Sequence, residues 1–247
     1  MKKLLILIIS SCCSAQSLSV RVVTEDLPPY QFLEHGKLQG SSVILVEEML
    51  KRANINSPIE VLPWARAFHI ASTQSNVIIF SMARNQQREA DFYWLLKIRS
   101  LMYHFYRSAD QQQVHADSLT DVLQHTVVAV RNSYEANSLQ KLGFQEGKNL
   151  VLVVNYAKAW QMLLKRHADY TYANELVEST LFKQFKIKPI YFVKDFDLGE
   201  TANLYIAASI TSSTALIKKL TLSLQSMQQD GTLRQLSTTA QLPRESH

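Results

Sequence analysis

Cysteine is nearly absent from this sequence of 247 residues, and the two present, Cys12 and Cys13, are adjacent near its start. No disulfide framework can be drawn across the body of the chain. Glycine and proline are scarce, at 6 each, which excludes collagen-like and low-complexity architectures. The glycines form neither G-x-G-x-x-G nor a Walker loop, the bare-backbone cradles that phosphates need, so no nucleotide or other cofactor is expected. The 7 histidines include no pair at metal-ligand spacing and have no cysteine neighbours, so no zinc motif can be written. No G-x-S-x-G elbow supports nucleophilic hydrolysis, and no catalytic residue is assigned. Charge of one sign is not in large excess either, with 26 Lys+Arg against 21 Asp+Glu. The basic residues are scattered among acidic ones rather than gathered in a stripe, which argues against nucleic acid as a partner. The one run apolar enough to consider for a membrane, Leu4 to Ile9, is far shorter than the roughly 20 residues a spanning helix needs.

That short run has a different meaning at the start of a chain. Lys2 and Lys3 precede it, and the small residues Ser10 to Ala15 follow it, which is the layout of an export signal cleaved after Ala15. Ile9-Ser10-Ser11-Cys12 can alternatively be read as a lipoprotein box that anchors the chain at Cys12. Residues 1–15 are therefore taken as a leader, and the compartment as the periplasm.

The remainder, in a chain that is 47% hydrophobic, alternates strand and helix signals with no linker or fixed repeat. Strands are expected over Ser19 to Val23, Ile59 to Leu62 and Val77 to Phe80, the last a continuous apolar run suited to burial on both faces. Ser41 or Ser42 is expected to cap a helix whose Val43, Val46, Met49, Leu50 and Ala53 share one face. A short helix is expected over Ala65 to Thr73. A crossing between lobes is placed after Ile98 to Tyr106, at the polar stretch Ser108 to Gln113.

A second α/β set follows: strand Thr126 to Val130, helix Ser133 to Leu142, strand Leu150 to Val154, helix Ala157 to His167, strand Tyr170 to Tyr172, helix Asn174 to Phe185 and strand Ile190 to Val193. A polar segment, Lys194 to Glu200, separates this set from a strand Leu204 to Ala208. A long helix from about Ser213 to Asp230, stopped by Gly231, returns to the first lobe. The expected division is 16–106 with 200–247 for one lobe and 107–199 for the other.

Several motifs stand in a telling order: Thr24-Glu25-Asp26-Leu27-Pro28-Pro29-Tyr30, Gly36-Lys37-Leu38-Gln39-Gly40, Pro63-Trp64-Ala65-Arg66-Ala67, and Ser81-Met82-Ala83-Arg84-Asn85-Gln86-Gln87-Arg88 with Asp91-Phe92. Together they resemble the N-terminal lobe of the family 3 periplasmic solute-binding proteins, receptors of polar amino-acid ABC importers. The resemblance continues more weakly through Leu119 to Leu123, Val127 to Val130, His167 to Tyr170 and Gln229 to Leu233. It implies an α/β type II periplasmic binding-protein fold: two α/β lobes, two hinge crossings, and a small-molecule ligand in the cleft between them. It also implies an ABC permease in the inner membrane as partner, a monomeric chain and no enzymatic activity.

The resemblance further assigns site residues. Arg88 falls where the family places an arginine for the ligand's carboxylate, a role suited to a planar fork of donors. Arg84 is its nearby competitor. Trp64 falls at an aromatic position that stacks on the ligand, although core packing would equally explain a tryptophan. Arg66 reaches toward the same cleft or faces solvent. Glu25 lies near the ligand's distal end, Ser81 is a hydroxyl contact, and Ala83 stands where many relatives carry another hydroxyl. Ser133 either donates to an anionic group or simply caps its helix.

Asn174 occupies the place of an aspartate that neutralises the ligand's ammonium group. An amide cannot do so. Glu175 would substitute if the turn is shifted by one residue. Two alternative functions remain on the same fold: a dehydratase-like enzyme using Glu175 or Glu178 as general acid, and a sensing module without transport.

Overall fold

The computed structural model describes residues 19–174 and 191–239. The leader, Cys12, Glu175, Glu178 and most of the helix expected over Asn174 to Phe185 lie outside the described residues. Chain order opens with β1 (Arg21–Thr24), a hairpin of β2 (Phe32–Glu34) and β3 (Lys37–Gln39), α1 (Ser41–Arg52), β4 (Ile59–Val61), α2 (Trp64–Thr73), β5 (Val77–Ala83), a 3-10 turn Glu89–Asp91 and the long β6 (Phe92–Ser108). It continues with α3 (Leu119–Val122), β7 (Val127–Val130), α4 (Tyr134–Lys141), β8 (Leu150–Val153), α5 (Tyr156–Leu164) and β9 (Tyr170–Asn174). The second long strand, β10 (Phe192–Ser209), precedes α6 (Thr214–Gln229) and α7 (Thr232–Thr239).

Eight strands form one sheet in the order β4-β1-β5-β10-β6-β9-β7-β8. In the first half β1 pairs in parallel with β4 and β5, and in the second β7 pairs in parallel with β8 and β9. All 7 residues of β5 are buried. Their alternation divides two packing layers, as a period of two requires. Val77 and Ile79 pack with Trp64, Ala67 and Ile70 of α2, whereas Ile78 and Phe80 pack with Val46 and Met49 of α1 and with Leu216, Leu220 and Met227 of α6. The C-terminal helices thus belong to the first half. Arg52 at the end of α1 secures them, donating to Ser226 Oγ at 3.1 Å, Asp230 Oδ2 at 2.6 Å and Thr232 Oγ1 at 2.9 Å.

Three sequence expectations need correction. The cap of α1 is neither Ser41 nor Ser42 but Gly40, whose φ of 123° favours glycine and whose Cβ, if present, would stand 2.2 Å from the Tyr30 oxygen. Ser42 instead sends its backbone N–H to that oxygen at 2.9 Å. Asn174 does not begin a helix; it is the last residue of β9, paired with Tyr103 of β6.

The third correction concerns Lys194 to Glu200, which is no break between two strands. β10 runs through it, bonded antiparallel to β6 from Phe192 opposite Ser108 to Ser209 opposite Phe92, with four register shifts. Backbone pairing carries this stretch in place of a buried face, which is why its side chains read as a loop. The two long strands are also the crossings. Leu204–Ala208 of β10 pair with β5 in the first half, while Tyr103–Arg107 of β6 pair with β9 in the second. The chain therefore passes between halves inside the strands themselves.

Candidate ligand-binding cleft

Strand ends and helix starts of both halves converge on a cavity of about 20 Å³, room for roughly one water molecule. From the first half come Glu25 just after β1, Trp64 at the start of α2, Ser81 and Ala83 at the end of β5, and Arg88 before the 3-10 turn. The second half brings Ser133, Tyr134 and Glu135 at the start of α4, Tyr156 at the start of α5, and Asn174 at the end of β9. Tyr103 and Leu204 enter from the crossing strands.

Arg88 is the cation of this cavity and is 2% exposed. Its Nη1 donates to Ala83 O and its Nη2 to Asn132 O, each at 2.9 Å. Its Cζ lies 5.2 Å from the Trp64 ring centre and 5.0 Å from that of Phe68, within cation–π range. The Nε has no hydrogen-bond partner among the described residues. Burial lowers the guanidinium to about 10, against the opposing pull of Glu135, Tyr156 and Glu25, so it stays charged at neutral pH.

Trp64 Nε1 also donates to Asn132 O, at 2.7 Å. Two side chains of one half thus meet on a single main-chain oxygen of the other. Asn132 presents that oxygen from a left-handed conformation, φ 61°, which asparagine adopts more readily than most residues. Its neighbour Ser133 caps α4, accepting from Ala136 N at 3.1 Å.

Glu135 is 2% exposed and its Oε1 accepts from Tyr156 Oη at 3.0 Å. Burial raises its carboxyl, partly offset by its own backbone N–H and by Ser133, Tyr156 and Arg88. Glu25, 6% exposed, has its carboxyl raised further by burial and by Glu135, against Arg88. Ser81 sits at φ 57° as the extra residue of a bulge, where the register jumps from Tyr205 opposite Met82 to Ile206 opposite Phe80. Its hydroxyl lies 2.7 Å from Gln31 Oε1 and 3.1 Å from Ser42 Oγ, both within its own half.

The structure therefore brings Arg88, Trp64, Ser81, Glu25, Ser133 and Asn174 to one cavity. Arg66 is not among its lining residues; it is exposed on α2, beyond the turn that buries Trp64 and Ala67. Arg84 is also elsewhere: it is ion-paired with Glu89, and its Cζ is 5.3 Å from both the Trp94 and Tyr205 ring centres. Ala83 lacks a hydroxyl but holds the guanidinium through its carbonyl. Sequence reasoning missed Tyr103, Glu135 and Tyr156. For Glu135 a signal existed, since it shares the buried face of α4 with Ala136 and Leu139.

Two α/β halves joined by a pair of crossing strands, with charged side chains buried at a cavity between them, give the chain a two-lobed architecture. The profile of the bacterial extracellular solute-binding proteins, family 3, matches residues 20–240, and the chain belongs to that family. No curated protein matches it by sequence. Among solved structures it is similar to a histidine kinase sensor domain with similarity to periplasmic binding proteins, at TM-score 0.78 and 17% identity over 90% of this chain and 96% of that one. An ancestral arginine-binding protein bound to arginine gives TM-score 0.77 and 17% identity over 90% and 98%. The ancestral amino acid-binding protein AncCDT-1, a precursor of cyclohexadienyl dehydratase, gives 0.71 and 16% over 89% and 94%. The fold is that of type II periplasmic binding proteins.

Proposed function

We propose that this chain is an exported, monomeric receptor whose lobes close over a small polar solute bearing a carboxylate, and that it passes the solute to an ABC permease in the inner membrane. Arg88 holds the carboxylate, Trp64 covers it, and Ser133 and Asn174 meet it from the opposite lobe. The carrying observation is the state of Arg88: a guanidinium 2% exposed, bonded to main-chain oxygens and with an N–H unpartnered among the described residues. Buried arginines are ordinarily matched by carboxylates, and a ligand carboxylate completes this one. The leader read at residues 1–15 supports the periplasm, and the family supports the clamp.

A thermal-shift screen of amino acids and other carboxylates tests the reading, because a ligand selective for the closed form raises the melting temperature. Calorimetry on Arg88→Ala follows: affinity for the selected compound should fall by at least about 100-fold, equivalent to about 3 kcal/mol. Unchanged affinity would remove the carboxylate role.

A second reading, acid catalysis in the same cleft, is favoured by Glu135, a buried carboxyl raised above its ordinary range beside Tyr156. Turnover of a prephenate-like cyclic acid, followed by absorbance, would establish it, and binding without turnover would dismiss it.

A further inference from the structure

Beside the central cavity the two halves border a second and larger space, a groove of about 260 Å³ against about 20 Å³. Its volume approaches the lower end of small-molecule pockets, roughly 300 Å³. One side is a stripe of α4, made of Tyr134, Asn137, Ser138, Lys141 and Leu142, whose spacing puts them on a single helix face. Of these five only Leu142 is wholly apolar, so packing between the halves does not account for the stripe. Arg84 and Asn85, just after β5, contribute from the other half, and Glu200, Thr201 and Asn203 come from the crossing strand β10.

The hydrogen bonds already made around the groove indicate what it accepts. The side-chain oxygen of Asn85 accepts from Arg88 N at 3.0 Å, and that of Asn203 accepts from Ser100 Oγ at 2.7 Å. An amide whose oxygen is engaged in this way has N–H groups left to offer. Lys141 adds an ammonium and Arg84 a guanidinium, and neither group can accept. The carboxylate among the lining residues, Glu200, already receives Tyr172 Oη at 3.3 Å and Tyr134 Oη at 3.5 Å. Arg84 is ion-paired with Glu89, but the two side chains are 37% and 49% exposed, where such a pair is worth little and is exchanged at small cost. The lining thus carries two cations against one carboxylate, together with a surplus of donors.

We infer that this groove is a second binding site, separate from the central cavity, for a small multiply charged oxyanion, a polycarboxylate or a phosphate, held between Arg84 of one half and Lys141 of the other. The oxygens of such an anion answer the amide N–H groups of Asn85 and Asn203, and its charge answers a cation from each half. An anion bonded to both halves favours the arrangement in which Arg88 of the first reaches Asn132 O of the second. Two residues connect the groove to the central cavity: Asn85, which holds the Arg88 N–H, and Tyr134, which lines both spaces.

The test compares citrate and inorganic phosphate with sodium chloride at matched ionic strength, by thermal shift and then calorimetry on the wild-type protein. Citrate or phosphate should raise the melting temperature beyond the effect of chloride, and the stronger of the two shows whether carboxylate or phosphoryl oxygens suit the groove. Lys141 is exposed, so its replacement leaves the fold intact; Lys141→Glu should weaken the stronger probe by about ten-fold or more, and Lys141→Arg, which keeps the charge, by less. Arg88→Ala should weaken it less than Lys141→Glu does. A larger loss in Arg88→Ala places the anion in the central cavity and overturns the inference. A rise no greater than that of chloride, or an undiminished affinity in Lys141→Glu, overturns it as well and leaves the solute-binding reading standing. The two Lys141 variants decide the matter by themselves if Arg88→Ala does not fold.

Discussion

The indole N–H of Trp64 stands 2.7 Å from the main-chain oxygen of Asn132, fastening the start of a helix in one lobe to the turn before α4 in the other. Trp64→Phe keeps an aromatic ring beside Phe68 and Arg88 but deletes the donor. We expect a loss of about 1 kcal/mol, the net worth of one hydrogen bond, and a larger ligand-free radius of gyration in solution scattering. An unchanged scattering profile and melting temperature would show that this contact does not help to hold the lobes together.

Gly40 is fixed by backbone geometry rather than by any side-chain role. Its φ of 123° and the 2.2 Å approach of a built Cβ to Tyr30 O predict that Gly40→Ala destabilises by about 2 kcal/mol or more. Gly36 is the control, with φ 75° and nothing within 4 Å of a built Cβ, and its alanine variant should lose only about 1 kcal/mol. Urea midpoints at constant slope measure both, and equal losses would contradict the steric account.

Asp195 predicts an acid limb of stability. Burial alone would raise its carboxyl, yet hydrogen bonds from Tyr170, Arg107, His115 and the Ala116 N–H hold it down at about 2. A carboxyl lowered by folding contributes stability above its ordinary range and loses that contribution as pH falls through the folded value. About 2 kcal/mol should therefore disappear between roughly pH 4 and pH 2. Asp195→Asn should flatten that limb in denaturant titrations. Glu25 and Glu135 act with the opposite sign: raised by folding, their contribution is present at low pH and declines as pH rises through their folded values. An undiminished acid limb in Asp195→Asn would assign it to other carboxylates.

Arg66 and Arg88 should separate cleanly in one binding experiment. Arg66 is exposed and away from the cavity, so Arg66→Ala should change affinity for any selected solute by less than about 0.5 kcal/mol. A loss comparable to that of Arg88→Ala would mean that the lobes close in a different arrangement around the solute.

Much of the fold is legible along the chain, because parallel strands such as β5 read as unbroken apolar runs and α1 and α6 keep a strict helical stripe. β10 is not legible in its middle. Its Lys194 to Glu200 portion is held by pairing with β6, and a pattern of side chains cannot reveal a partner 90 or so positions away. The cavity was approached through motifs after β1 and β5, where strand ends are marked by prolines and by a dense run of polar residues. Glu135 escaped notice although it shares the apolar face of α4 with Ala136 and Leu139, because an acid in the first turn of a helix is so commonly a solvated partner of the helix dipole. Tyr103 and Tyr156 look like ordinary core aromatics, and only the folded arrangement shows that Tyr156 donates to Glu135 and that Tyr103 lines the same cavity.

The pairing of β6 with β10 along nearly their whole length restricts how the molecule can move. A two-stranded ribbon flexes readily out of its plane, but sliding one strand along the other would break ladder bonds in series. The lobes are left with one soft direction, a swing about the ribbon. On the proposed solute-binding reading, entry and release of a guest follow a single coordinate, and one distance measured across the mouth is enough to describe how far the jaws have parted.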